Sequence, residues 1–385
     1  MTGQQFSVLA LPLLAAVSLK AGPLQMGLLV ACETAPFLLF SLPAGVLVDR
    51  SPRRPLMVSM NLLRALALTL VPVSALLGGL RLELLYTVAF LIGSFSAFFN
   101  VAYQSVLPDL VPPAALNDAN SKLETSRTGA GVLGPGLAGT VIGLIGSAAA
   151  LWINAGTFLV SALLIGRLPL SERPALVGKP TPMLGQMREG LAFVWSHPVI
   201  RPMMLCAATL NAAQGLLDAV LVLYLSRSLN LTPALIGLVF VGSNVGSVLG
   251  ALLSGRIATH LGTGRATVLA ALLAGAGMLL VPLAGVAGTI TLPLLMLARF
   301  LYGFGNLMFF VQHITLRQLQ TPPALQGRMH ASVRFLAGSV FPLRALLGGA
   351  LAQHFGIPAV LLLAGLTGIT AWLWVRRSGL RGWRR

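Results

Sequence analysis

Acids are scarce in this chain, and their positions decide what chemistry is open to it. Lys and Arg number 26 against 9 Asp and Glu. Glu33 and Asp218 lie well inside long apolar stretches, as do Arg64, Arg299 and Arg344. An ionised group in hydrocarbon costs roughly 3 kcal/mol or more, so a chain keeps one where it binds, titrates or pairs. Either carboxyl can hold and release a proton; the competing reading is a static ion pair with an arginine. Glu33 and Arg344 each fall about nine residues into their stretches, roughly 13 Å deep. In a core about 30 Å thick both stand near the midplane. That depth predicts an approach of the two, against an arginine that faces water or snorkels alone.

A second charged constellation is Gly45-Val46-Leu47-Val48-Asp49-Arg50-Ser51-Pro52-Arg53-Arg54. Gly45 permits close approach of another helix. Asp49 can pair with an arginine or sit at the positive N-terminus of a neighbouring helix. Other chemistries lack their residues. Gly178-Lys179 runs into Pro180, so no phosphate-binding G-x-x-x-x-G-K-[ST] loop is present, and ATP-driven transport within this chain is not expected. There is no H-E-x-x-H and no Cys/His cluster, so neither metal nor cofactor is expected, and the chain is not read as an enzyme. His313 reads as a solvated loop histidine, with titration as the alternative. Cys32 and Cys206 stand in apolar runs and read as structural.

The elements that must carry these residues are membrane spans. Of the 385 residues, 56% are hydrophobic and 9% charged, where a soluble domain has about 25%. Crossing a bilayer takes about 20 apolar residues. Spans are expected at roughly 3–19, 24–48, 56–78, 83–107, 125–146, 148–167, 202–224, 233–255, 266–287, 290–311, 335–353 and 357–375. This is an all-α integral membrane protein of twelve transmembrane helices in two six-helix bundles. The bundles are 1–168 and 201–375, joined by a cytoplasmic linker with an amphipathic helix over 169–200 and followed by a basic tail over 376–385. The apolar run from Val8 to Leu19 has no Lys or Arg before it, unlike a signal peptide.

Lys20, Arg81 and Arg227 fall on one side of this topology and nearly all other basic residues outside the spans on the opposite one. By the positive-inside rule both termini are cytoplasmic, in an inner (plasma) membrane. The net charge of +17 is then an anchor to anionic inner-leaflet lipid rather than a nucleic-acid footprint. A shift of 210 residues superposes the halves without a gap: Pro23 on Pro233, Gly27 on Gly237, Gly45 on Gly255, Pro72 on Pro282, Gly93 on Gly303, Gly139 on Gly349 and Gly146 on Gly356. Parallel repeats of this kind place a substrate site between halves near the midplane. In the same register Met1 falls on Asn211, well inside span seven, so the first half of span one is expected upstream of Met1.

The pattern G-x-L-x-D-R-x-x-R-R resembles the loop 2–3 signature of the major facilitator superfamily, with Pro52 where Gly is usual. Span five carries Gly134-Pro135-Gly136 and Gly139, similar to the span-five motif of exporters in that superfamily; a plain small-residue packing face is the alternative. Phe98-Phe99-Asn100-Val101-Ala102-Tyr103-Gln104-Ser105, Asn120-Ser121-Lys122-Leu123-Glu124 and Gly327-Arg328-Met329-His330-Ala331-Ser332 resemble the macrolide-efflux and enterobactin-exporter type of drug:proton antiporter. That resemblance implies efflux of a hydrophobic drug, antibiotic or siderophore by alternating access, coupled to protons, by a monomer. Asp49, Arg50, Arg53 and Arg54 would latch the inner gate, and Gly134, Pro135 and Gly139 would shape the interface between halves. Glu33, Asp218, Arg299 and Arg344 are the candidate charge sites. Spans one, four, seven and ten line the cavity in the resembled fold, which nominates Phe95, Phe99, Asn100, Tyr103, Phe304 and Asn306. The chain departs from relatives at Gly3-Gln4-Gln5, at Asn100, at Arg344 where Gly is common, and in having no basic residue from Leu84 to Leu107. The alternatives are a facilitator or importer of a small metabolite, and a non-transporting or truncated, inactive membrane protein.

Overall fold

The computed structural model describes residues 2–110, 112, 116–168, 192–321 and 342–376, and the regular elements within them are helices. Helix α1 (Thr2–Leu13) runs into a π-turn (Leu14–Ser18); α2 (Pro23–Arg50), α3 (Arg53–Leu76), α4 (Leu82–Leu110), α5 (Leu116–Ile145) and α6 (Ser147–Gly166) follow. Then come α7 (Ile200–Leu223) with a second π-turn (Tyr224–Ser228), α8 (Pro233–Leu261), α9 (Thr263–Leu283) and α10 (Thr291–Gln320). Helix α11 is described over 342–355, and α12 (Ile357–Thr370) continues into a short Trp372–Arg376 helix. Among the described residues, 10 helices are long and apolar enough to cross a membrane, and Phe6–Ser18 is a shorter apolar one.

The spans read from hydropathy are too short at three ends. Helix α5 begins at Leu116 rather than 125, α8 continues to Leu261 rather than 255, and α10 to Gln320 rather than 311. Hydropathy marks only the part of a helix that needs hydrocarbon, whereas backbone hydrogen bonding carries the helix on through polar residues. Most of the expected linker and its amphipathic helix, and nearly all of the basic tail, lie outside the described residues.

The chain forms two compact units, Met1–Lys179 with Leu225–Gly237, and Pro180–Tyr224 with Leu238–Arg385. In the first unit α3 packs on α4 and α6, and α1 packs on α6. In the second α9 packs on α10 and α12, and α7 packs on α12. Those pairings match under the 210-residue shift, and so does the backbone. Left-handed residues come as Lys20 (φ 51°) with Asn230 (φ 50°), Gly78 (68°) with Gly288 (57°), and Gly146 (84°) with Gly356 (82°). Each π-turn closes the same way: the Ala21 N–H donates to Ala15 O at 2.9 Å and the Leu231 N–H to Leu225 O at 3.0 Å.

Close helix approach follows the same register. A Cβ at Gly93 would run into the Glu33 carbonyl of α2, and a Cβ at Gly303 into the Ser243 carbonyl of α8. With little hydrophobic drive between helices in lipid, van der Waals contact of this closeness is a main source of cohesion. Leu66, Leu76, Leu144 and Leu163 are exposed along helix flanks, where acyl chains solvate them.

Candidate functional site

Charge inside the membrane-spanning helices collects at two places, one in each unit. In the second unit the centre is Asp218 on α7. Gln214, one turn earlier, donates its side-chain amide to the Asp218 carboxylate at 2.6 Å. Arg299 of α10 and Arg344 of α11 are both in electrostatic contact with Asp218, and Tyr302 joins them. Both arginines are only 4% exposed. Arg344 fits because residue 215 is glycine: a Cβ there would stand 2.5 Å from the Arg344 Cβ. The Arg299 guanidinium lies over the rings of Tyr302 (5.0 Å) and Phe240 (5.6 Å). Its Nε and Nη1, and Gln214 Oε1, are buried without a hydrogen-bond partner among the described residues.

Asp218 stands ten residues before the span end at Ser228, and Arg299 eleven residues after the span start at Gly288. At 1.5 Å per residue these are depths of about 15 and 16 Å, so acid and arginine meet at one level in mid-membrane. This assembly can hold a proton on Asp218, trade it against arginine charge, and offer guanidinium N–H groups to a ligand. Inside its own unit Arg344 lies within electrostatic range of Asp218.

In the first unit Arg64 of α3 is 6% exposed. Its guanidinium lies 4.2 Å from the Phe99 ring centroid and 4.6 Å from that of Phe158, and it donates to Asn61 Oδ1 at 2.5 Å. Asn61 in turn donates to Ser161 Oγ at 3.0 Å. The result is a tie between α3, α4 and α6. Glu33 is half-buried on α2 and makes no hydrogen bond or ion pair among the described residues.

Residues 1–224 and 203–383 match the profile of the Major Facilitator Superfamily. The chain belongs to this family. It is a multi-pass membrane transporter with twelve helices in two domains, and not an enzyme. It is 29% identical to the multidrug efflux pump Tap of Mycolicibacterium fortuitum over 374 residues, 94% of this chain and 89% of that protein. It is 29% identical to the enterobactin exporter EntS of Citrobacter koseri over 317 residues, 80% of this chain and 71% of that one. Among solved structures, a bacterial homologue of the iron transporter ferroportin in an inward-facing state superposes with TM-score 0.75 at 18% identity, covering 98% of this chain and 96% of that one. The nucleoside transporter NupG superposes with TM-score 0.75 at 13% identity, covering 97% and 96%. At those identities the likeness is one of fold.

The remaining nominated residues of this major facilitator protein fall as follows. Gly45, Asp49 and Arg50 lie in the last turns of α2, and their side chains are outside the described set. Arg53 opens α3 behind Pro52. Arg54 donates through Nη2 to the Gly166 carbonyl, so its charge serves the negative end of α6. Gly134, Pro135 and Gly139 are buried on α5, and a Cβ at Gly237 would meet the Pro135 carbonyl. Phe99 stacks on Tyr103 at 6.0 Å and Phe304 on Phe300 at 6.1 Å. Phe95, Asn100 and Asn306 are half-buried.

One expectation is corrected: His313 is not a loop histidine. It is 5% exposed within α10 and stacks on Phe309 at 5.8 Å, because α10 runs past the apolar stretch that was taken to end it. Gln214 and Phe240 escaped the sequence reading. Gln214 had a signal, the i, i+4 spacing to Asp218 on one helix face; Phe240 had none.

Proposed function

We propose that the chain exports hydrophobic small molecules, a drug, antibiotic or siderophore, by alternating access, and that proton movement through Asp218 drives it. The carrying observation is the intramembrane carboxylate itself, hydrogen-bonded to Gln214 at 2.6 Å and faced by Arg299 and Arg344. A carboxyl so placed gains or loses its arginine partners as it releases or takes a proton, which gives two charge states for two conformations. The efflux direction is supported by relatives named as a multidrug efflux pump and an enterobactin exporter. Glu33 is the second proton candidate. Asp49 with Arg50, Arg53 and Arg54 forms the latch at the α2–α3 turn, and Gly134, Pro135 and Gly139 the packing surface of α5. The basic-residue distribution supports cytoplasmic termini held against anionic lipid, the bundles being 1–168 and 201–375.

The test is accumulation of a fluorescent hydrophobic dye in cells with and without the chain. Lower accumulation with the chain, abolished by a proton uncoupler, is the expected result. Equal accumulation at verified expression, across neutral, cationic and anionic dyes, would overturn the proposal.

A further inference from the structure

The cluster around Asp218 carries one more reading, which rests on the efflux proposal and names the class of cargo. Two guanidinium groups, Arg299 and Arg344, lie within electrostatic range of the Asp218 carboxylate in mid-membrane. Asp218 already accepts the Gln214 amide. Arg299 is 96% buried by its 4% exposure, yet its Nε and Nη1 have no hydrogen-bond partner among the described residues. A guanidinium left this way is costly, since its donors point into a low-dielectric interior with nothing to accept them. Nε–H and Nη1–H point to different sides of the group, and each is a charged donor that an oxyanion satisfies more strongly than a neutral acceptor does. The guanidinium of Arg299 lies over the rings of Tyr302 and Phe240, which puts aromatic surface beside it.

We propose that Arg299 receives an organic carboxylate: the cargo is a hydrophobic acid whose carboxylate accepts from the stranded Arg299 donors while its apolar body lies along Tyr302 and Phe240. Arg344, held against Gly215, adds positive potential to the same level of the membrane. A cationic drug meets net positive charge here. A neutral one leaves the Arg299 donors unmet.

Binding to the purified full-length protein in detergent tests this without requiring transport. The probes are 2-naphthoate, its neutral isostere 2-naphthamide, and sodium chloride over the same concentration range, with thermal unfolding as the readout. Naphthoate is expected to raise Tm in a saturable manner and naphthamide to leave it unchanged. Arg299→Gln is expected to weaken naphthoate by about tenfold or more, the loss of a charge-assisted pair. Arg299→Lys keeps the charge but not the planar set of donors and is expected to fall between. No saturable shift with naphthoate, an equal shift with naphthamide, or an unchanged response in both variants overturns the proposal. Should a variant not fold, the comparison of naphthoate with naphthamide on the wild-type chain still decides. A chloride response as strong as that of naphthoate makes this an inorganic-anion site and overturns the cargo assignment. Dye efflux that persists when naphthoate fails to bind leaves the efflux reading standing and ends this one alone.

Discussion

Gln214 and Asp218 stand one helical turn apart on α7, joined by a 2.6 Å hydrogen bond from amide to carboxylate. The amide fixes the carboxylate orientation without neutralising it, so Asp218 stays titratable. Asp218→Asn preserves size and polarity but holds no exchangeable charge. Uncoupler-sensitive efflux should fall by about tenfold or more at equal expression, with Asp218→Glu retaining part of it. Wild-type efflux by the asparagine variant would remove Asp218 from the proton path.

The Arg64 guanidinium between Phe99 and Phe158 makes a separate prediction about stability. Arg64→Ala removes two ring contacts and strands Asn61, for a loss of about 2 kcal/mol. Arg64→Met refills the space without burying a charge and should cost less. Thermal unfolding of the two variants in detergent checks the order; the reverse order would mean that filling the space between Phe99 and Phe158 does not stabilise the unit.

Glycines at the close approaches should behave differently from a glycine in open space. Gly303→Ala drives a methyl into the Ser243 carbonyl and should lower Tm and yield sharply, and Gly93→Ala should do the same against Glu33. Gly255 has no atom within 4 Å of an added Cβ, so Gly255→Ala should be neutral or stabilising by up to about 1 kcal/mol. Equal sensitivity at all three positions would contradict the packing described for α4 and α10.

His197 precedes α7 and accepts N–H groups of Val199 (3.2 Å) and Ile200 (3.3 Å) on Nδ1. Burial pushes its pKa below the usual histidine value. The neutral imidazole is therefore the folded-state form. Its stabilisation is full above about pH 6.5 and is lost as pH falls through the lower folded value, where Nδ1 is protonated and can no longer accept. Protection factors at Val199 and Ile200, corrected for the intrinsic exchange rate, should fall on acidification, and His197→Asn should flatten that dependence. A protection profile independent of pH would show that the imidazole does not cap the helix.

On the proposed latch, Asp49→Asn should leave folding intact and impair transport, because the substitution removes the charge and keeps the size of the side chain. Measured at matched expression, unimpaired efflux would sink the latch.

Much of this molecule was legible in its sequence because the physics involved is local or periodic. Hydrocarbon demands about 20 apolar residues per crossing, and that alone set the order of the spans. The 210-residue register followed from Pro and Gly positions, since those residues mark turns and close approaches; the paired left-handed residues Lys20 and Asn230 obey it although neither is glycine. The exposed charges, sorted by side, support the proposed orientation. What composition and spacing could not decide was which buried groups meet. Arg344 comes within electrostatic range of Asp218 because Gly215 opens room on α7, and α10 brings Arg299 to the same depth; each of those facts depends on helix rotation and crossing. Hydropathy has no term for rotation about a helix axis. It also has no term for helix continuing beyond hydrocarbon, which is why His313 read as a loop residue and is in fact stacked on Phe309 inside α10.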